Sequence, residues 1–510
     1  MDADLLMLQS NRASGVSEVG GRGRIGRFGR FGRFDERQRA TRTRGTERLA
    51  RKRSAGLVGS AHLVGICGSG MQALAELLSG MGWRVSGSDQ QATGEVIKAQ
   101  ARCGQIIRPG HRATHVPRHA DVLVYSQAIG VGNVERKQAK RLGIPQLSYS
   151  QMLGRLMSDR VGVSIAGTHG KSTTTAMMAS LLDSAGLSPS AVVGARLIDR
   201  GHSGWAGDGE LLVVESCEYR RSFLDLAPRL AVITGIEPDH FDCYGSLDEA
   251  VDAYAAFAAS IESSGLLLVA EDCASAAIAA RRATARVKTY GRSPASDWCA
   301  AEIRRTDWGS RFRLLDRGRF LCEITVPVPG RHNVDNALAA AAMACELGVD
   351  LERVREGLAE YAGIRRRFER IGSWRGVTVV DDYAHHPTAV RATLETARET
   401  FGERRLCCAF QPHQVSRTVE LFDEFVSSLS VADLVLVLPV FAAREDDTRS
   451  ASVSRELAER IEAGGSGTRC GFVPSLDHLV ATLDDETRPG DVLITMGAGD
   501  IDRVRHEFTR

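Results

Sequence analysis

A chain of 510 residues, 43% hydrophobic and 25% charged, holds enough apolar side chains for about three globular domains. No run approaches the roughly 18 apolar residues of a membrane span, and the N-terminus lacks a signal peptide's apolar core, so neither membrane insertion nor export is expected. The net charge of +2 hides an asymmetry: residues 1–53 carry 14 Lys and Arg against 6 Asp and Glu, which leaves the remainder mildly acidic.

Eleven cysteines, an odd number, are scattered without a Cys-x-x-Cys pair. That pattern points to buried thiols in a reducing cytoplasm, and away from a disulfide framework or a zinc site.

Residues 1–55 contain Gly21-Arg-Gly-Arg-Ile-Gly-Arg-Phe-Gly-Arg-Phe-Gly-Arg-Phe34, which has neither a helical nor a strand period. Such a composition cannot bury enough surface to offset chain entropy and predicts a disordered basic extension. Arg-Gly-Phe segments can bind nucleic acid through phosphate contacts and stacking. The preferred reading is plainer, a solvated extension or a start codon assigned too early.

Order is expected from the apolar strand Ala61-His-Leu-Val-Gly-Ile-Cys67, followed by Gly68-Ser-Gly-Met-Gln-Ala73 and a helix to about Met81. Gly68-x-Gly70-x-x-Ala73, with Asp89 about 20 residues on, satisfies the dinucleotide fingerprint. The fingerprint specifies a diphosphate on a helix N-terminus with a ribose partner, so a UDP-sugar satisfies it as well as NAD. Asp121–Tyr125 leads as a strand to Ser126, and Gly143-Ile-Pro145 opens a connection to a helix over Tyr149–Met157. A Rossmann-like domain over 56–157 is predicted.

The next strand runs into Gly167-Thr-His-Gly-Lys-Ser-Thr173. Gly167 and Gly170 permit a tight turn whose N–H groups converge, Lys171 adds a cation, and Ser172 opens a helix predicted to reach Gly186. Converging donors, a lysine and a helix N-terminus make a phosphate cradle, and a hydroxyl after the lysine is the usual Mg²⁺ ligand. The full Walker pattern asks for glycine where Ile165 stands, so the motif is a compressed form. A nucleotide triphosphate site is the working expectation.

Two further strands, Leu211–Val214 and Leu230–Thr234, end on Glu215-Ser-Cys-Glu218 and Gly235-Ile-Glu-Pro-Asp-His-Phe-Asp242. In parallel sheets ligands collect beyond such strand ends. Ser172 and Glu215 suit Mg²⁺, which prefers oxygen. His240 is either a further metal ligand or a strand-end histidine bonded to Asp239 or Asp242. Gly330-Arg-His-Asn-Val-Asp-Asn336 is expected to precede an alanine-rich helix over Ala337–Leu347, and a helix over Glu352–Tyr361 closes a central domain of 158–363.

Over 364–510, strands at Val377–Val380, Arg405–Phe410, Leu434–Pro439 and Val492–Met496 deliver Asp381-Asp-Tyr-Ala-His-His-Pro387, Gln411-Pro-His-Gln-Val-Ser-Arg417 and Gly497-Ala-Gly-Asp-Ile501. Strand and helix alternate again, predicting a second Rossmann-like sheet. The fold class is therefore α/β, with a P-loop ATPase-type parallel sheet between two Rossmann-like domains.

The phosphate loop, Glu215 with Ile236-Glu-Pro-Asp-His240, Arg331-His-Asn-x-x-Asn336, Asp381–Pro387 and Gly497–Ile501 together resemble the Mur ligases. The resemblance runs in order from about residue 60 to 505 and excludes the basic extension. It implies an ATP- and Mg²⁺-dependent ligase of peptidoglycan precursor synthesis, a cytoplasmic monomer or weak homodimer. UDP-N-acetylmuramate would lie on Gly68, Ser69, Gly70 and Met71, with Asp89, Ser126 and His413 assisting. ATP would take Gly167, Thr168, His169, Gly170, Lys171, Ser172, Thr173, Asn333, Asn336 and Arg365. Ser172, Glu215 and His240 would hold metal, and Lys171, Glu215, His240, His386 and Arg417 would be catalytic. Activation of the lactyl carboxylate as an acyl phosphate, then attack by the amine of L-alanine, is the implied reaction.

Several positions depart from the family pattern. Relatives often carry Glu-Ala-Asp-Glu-Ser-Asp where this chain has Glu215-Ser-Cys-Glu-Tyr-Arg-Arg221, asparagine at Gly235, and arginine at Gln414. No lysine lies between His240 and Lys288, so a carbamylated lysine cannot serve there. Two alternatives accompany the main reading. A ligase adding a preformed tripeptide to the same nucleotide shares nearly every motif, and an NAD-dependent dehydrogenase rests on the Gly68–Ala73 turn alone.

Overall fold

The computed structural model describes residues 59–508 except 95, 96, 99, 100, 102, 103, 444, 446 and 466. The expected basic extension and Cys103 lie outside the described residues. Three sheets follow one another along the chain.

The first comprises β1 (Ser60–Val64), β2 (Arg84–Asp89), β3 (Ile106–Pro109), β4 (Val122–Tyr125) and β5 (Gln146–Ser148). All are parallel, in the order β3-β2-β1-β4-β5. The winding reverses between β1 and β4, and such a switch point opens a crevice beyond the strand ends. Gly68–Met71 follow β1 and Ser126 follows β4, so both border that crevice.

The second sheet has ten strands: β6 (Val161–Ala166), β7 (Ser190–Val192), β8 (Gly204–Trp205), β9 (Leu211–Glu215), β10 (Leu230–Ile233), β11 (Leu266–Ala270), β12 (Arg286–Gly291), β13 (Trp298–Thr306), β14 (Gly309–Asp316) and β15 (Arg319–Val326). Their order is β15-β14-β13-β12-β11-β10-β6-β9-β7-β8. β6 lies between β9 and β10, parallel to both, and its interior is buried, as suits a strand covered on both faces. The phosphate loop, Glu215 and the loop bearing His240 therefore leave the same end of three adjacent strands. Residues 243–329, which carry no recognised motif, supply β11 to β15, including the antiparallel β13-β14-β15 arm.

The third sheet, β16 (Glu369–Trp374), β17 (Val377–Asp382), β18 (Leu406–Gln411), β19 (Leu434–Val437), β20 (Arg469–Phe472) and β21 (Val492–Gly497), runs β16-β17-β21-β18-β19-β20. Only β16 is antiparallel. β19 stops at Val437, short of the expected Pro439, where proline has no N–H for a ladder. The long alanine-rich helix starts at Arg331, six residues before the expected Ala337. Gly330, at φ +103°, turns the chain directly into it. Asn333 and Asn336 fall on one buried helical face, with Asn336 Nδ2 donating to Asn333 Oδ1 at 3.1 Å.

The first two sheets share a core: Leu63, Leu74, Val124 and Leu153 pack in one cluster with Val192, Leu212 and Val214. Glu76, on the helix Ser69–Gly80, reaches across. Its carboxylate accepts from Ser203 N at 2.8 Å, Ser203 Oγ at 3.1 Å and Gly204 N at 2.9 Å. A side chain at Gly204 would collide with the Ala73 carbonyl, so glycine permits this approach. The third sheet meets the second along a polar seam: Arg417 Nε donates to Asp239 Oδ1 at 2.8 Å, and Thr388 Oγ1 donates to Glu237 Oε2 at 2.7 Å. No helix among the described residues is long and apolar enough to cross a membrane.

Candidate active site

Along that seam lies a cavity of about 950 Å³. The phosphate loop, the ends of β9 and β10, the start of the helix Arg331–Glu346, and Arg365–Arg367 with Tyr383–His386 of the third sheet all line it.

The phosphate loop is held open by its two glycines. Gly167 has φ +134° and a Cβ there would overlap the Thr234 hydroxyl; Gly170 has φ +76° and a Cβ would overlap Asn336 Oδ1. Both positions demand glycine on conformation and on space. The hydroxyl of Thr174 donates to Asn336 Oδ1 at 3.0 Å, which ties the asparagine pair to the loop's helix.

Lys171 folds back on its loop, donating to the carbonyls of Gly167 and Thr168 and reaching Glu218 Oε1 at 3.0 Å. Burial pushes the ammonium pKa down, but Glu218, Cys217 and Glu215 more than offset this and leave it above the usual lysine value. Burial conversely raises the Glu218 carboxyl, while Lys171 and His240 outweigh it and hold the group ionised. Ser172 Oγ donates to Glu215 Oε1 at 3.0 Å, and Glu215 Oε2 accepts from Gly194 N at 2.6 Å.

His240, at φ +53°, sets Nε2 3.4 Å from Glu218 Oε1 and 3.9 Å from Asp239 Oδ2. Asp242 instead accepts from the Tyr219 hydroxyl at 2.9 Å, so the His240–Asp242 pairing expected as one alternative does not form. Buried His240 Nδ1 and Glu218 Oε2 have no hydrogen-bond partner. One oxygen and one nitrogen are thus buried and unpaired at these strand ends.

Across the seam His386 donates from Nε2 to the Pro238 carbonyl at 3.1 Å and caps the helix Pro387–Phe401, accepting from Thr388 N at Nδ1. Burial and the facing His169 lower its pKa to about 4. His332 is likewise lowered to about 4, by burial, Arg367 and His169. Arg365 lines the cavity but also ion-pairs with Glu369.

Most of the remaining expected residues lie outside the cavity. Arg417, 1% exposed, does not line the cavity; Nε and Nη2 both clasp Asp239 Oδ1, and Nη1 meets His413 Nδ1 at 3.1 Å. His413 stacks on Phe441. In the first sheet, Ser69 reaches the cavity wall. Met71 is buried in the apolar core, so only its backbone can face a ligand. Asp89 reaches across to the turn after β1, accepting from Cys67 N at 2.9 Å, and Ser126 Oγ accepts from Ala128 N.

Glu218 and Glu237 belong to the strand-end motifs read above, and the structure adds both to the cavity wall. Glu218 follows Glu215 by three residues at a strand end, the spacing that turns a second carboxylate into one pocket. Asp335, also on the cavity wall, is raised to about 6 by burial, against the pull of Arg292.

The sequence matches the Mur ligase family catalytic domain over residues 60–161, the Mur ligase middle domain over 165–344, and the Mur ligase glutamate ligase domain over 366–499. It is 40% identical to the UDP-N-acetylmuramate–L-alanine ligase of Salinibacter ruber, over 89% of this chain and 95% of that one. It is 42% identical to that of Sorangium cellulosum, over 88% and 95%. The fold is similar to the crystal structure of UDP-N-acetylmuramate–alanine ligase from Thermotoga maritima, with TM-score 0.74, 26% identity and coverage of 88% and 98%. It is also similar to a murein peptide ligase from Psychrobacter arcticus, with TM-score 0.67, 25% identity and the same coverage.

Proposed function

We propose, from the premise that this chain belongs to the Mur ligase family, that it joins L-alanine to the lactyl carboxylate of UDP-N-acetylmuramate at the expense of ATP. One observation carries this reading. Lys171, Glu218, Ser172, Glu215 and His240 gather at the ends of three adjacent strands and face His386 and Arg365–Arg367 across one cavity. Such a cavity accommodates a triphosphate on one wall and an acyl acceptor on the other. Family membership removes the dehydrogenase reading of the Gly68–Ala73 turn, which suits a UDP diphosphate equally well.

The residues fit a divalent cation. Ser172 and Glu215 offer oxygen, and Glu218 Oε2 and His240 Nδ1 are buried without partners. Mg²⁺ bound there would neutralise phosphate charge. Lys171 would leave Glu218 for the β- and γ-phosphates, whose negative charge would replace that carboxylate in keeping the ammonium protonated. The lactyl carboxylate attacks the γ-phosphorus, giving an acyl phosphate and ADP. The alanine amine then adds to the acyl carbon, and the tetrahedral adduct expels phosphate while the nitrogen loses a proton. The departing phosphate can carry that proton away; His386, neutral near pH 7, and Arg365–Arg367 line the wall facing the phosphates. Closure of the third sheet would exclude water from the acyl phosphate.

The test is phosphate release from ATP and UDP-N-acetylmuramate with and without L-alanine. Release that depends on L-alanine supports the reading. Release that depends instead on a preformed peptide favours the second reading, motivated by the likeness to the murein peptide ligase.

A further inference from the structure

Three side chains from three different elements converge at the seam: His169 of the phosphate loop, Glu237 after β10, and His386 at the start of the helix Pro387–Phe401. Each offers a ligand atom within 4.8 Å of the other two. We propose that His169, Glu237 and His386 form a second cation site, selective for a borderline divalent ion such as Zn²⁺ or Co²⁺ and separate from the oxygen-rich Ser172–Glu215 pocket.

The spacing supports it. A tetrahedral ion with bonds of about 2.1 Å holds its ligand atoms about 3.4 Å apart. His169 Nε2 lies 3.3 Å from Glu237 Oε2, and His386 Nδ1 lies 3.8 Å from the same oxygen. The imidazole rings are tilted at 53° to each other, with centroids 4.7 Å apart. Only small side-chain rotations separate this arrangement from a closed triad.

The outer partners are those of a metal-ligating histidine. His386 gives its Nε2 proton to the Pro238 carbonyl at 3.1 Å, which fixes the tautomer and leaves the Nδ1 lone pair toward Glu237. That lone pair is engaged only by a long 3.3 Å bond from Thr388 N. Thr388 Oγ1 donates to Glu237 Oε2 at 2.7 Å and so orients the carboxylate. Two imidazoles and one carboxylate favour zinc-like ions over Mg²⁺, which prefers oxygen. All three residues line the cavity, so the fourth coordination position faces it. An ion there ties the phosphate loop and the β10 loop to the third sheet.

The experiment uses the full chain, stripped with a chelator and titrated with Co²⁺ in excess Mg²⁺, following visible absorption and the melting temperature. Expected are one Co²⁺ per chain with a tetrahedral absorption band, displacement by Zn²⁺, and a higher melting temperature. The affinity should fall at least tenfold in His169→Ala and His386→Asn, and stay unchanged in Ser172→Ala and His240→Ala. Asparagine at position 386 can still cap the helix, so lost binding is distinguishable from lost folding. Absence of the band, or its survival in His386→Asn with loss in His240→Ala, would overturn the proposal. The readout is binding, so it stands apart from whether the chain ligates L-alanine.

Discussion

The molecule contains two glycine turns of the same local design, each strand, turn, then helix, and they are built to different tolerances. At Gly68 the backbone is extended, φ −64°, and a Cβ would meet nothing nearer than the Gly65 carbonyl at 3.6 Å. Asp89 braces the turn from its own sheet. At Gly167 and Gly170 the backbone is left-handed, a Cβ would overlap Thr234 or Asn336, and a lysine is held by carbonyls and by Glu218. At Gly68 the first turn is a platform with room above it, although at Gly70 a Cβ would press on the Tyr149 ring at 3.0 Å. The second is a clamp whose parts come from β6, β9, β10 and the helix Arg331–Glu346. The fingerprint residues look alike in sequence, and their surroundings make the difference.

The largest effect should come from the clamp's charge. Lys171→Ala should lower kcat for ligation at least about a hundredfold, the scale of losing one transition-state donor, and also lower the melting temperature, because the buried Glu218 loses its counter-ion. Near-normal turnover would break the contrast between the two turns. Next, Gly170→Ala should destabilise the fold by about 1–2 kcal/mol for its left-handed backbone alone, and raise the KM for ATP. Because its new methyl meets Asn336 Oδ1, Asn336→Ala should restore part of the loss, a coupling that a double-mutant cycle of denaturation free energies would reveal.

A smaller effect is expected from pH. His332 and His386 have folded pKa values lowered to about 4 from an ordinary value near 6.5. Between those values the unfolded chain binds more protons, so stability rises with pH across that window and falls as pH drops toward 4. Urea midpoints measured from pH 4 to 8 should climb to about 6.5 and, as far as these two groups contribute, flatten. Replacing His386 with Asn should shallow the climb. The smallest effect belongs to the platform: Gly68→Ala should leave the melting temperature almost unchanged and act, if at all, on the KM for UDP-N-acetylmuramate. A large loss of stability there would erase the comparison.

Much of this was legible in the chain. Alternating apolar strands and helices gave the three sheets because buried parallel strands need continuous apolar runs, and the phosphate loop announced itself through glycines beside a lysine. What stayed hidden was pairing across sequence distance. Lys171 meets Glu218 over 47 residues and Arg417 meets Asp239 over 178, and no local period encodes either. Arg417 was expected among the catalytic groups; its side chain is instead spent on the seam. The early start of the helix at Arg331 was also obscured, since asparagines favour turns unless, as here, buried partners engage them: Thr174 donates to Asn336, and Asn333 donates to the Pro329 carbonyl.

The shared core of the first two sheets has a mechanical and calorimetric consequence. Leu63 and Leu74 cannot part from Leu212 and Val214 without exposing apolar surface, and the Glu76 carboxylate would be stranded beside its lost donors. The third sheet is joined through polar contacts and the aromatic packing of Trp308 against Phe368 and Phe401. Among the described residues the first two sheets are therefore bound as one body and the third is joined to them more lightly. A thermogram should resolve the third sheet as its own transition, while the first two melt together as a single cooperative unit.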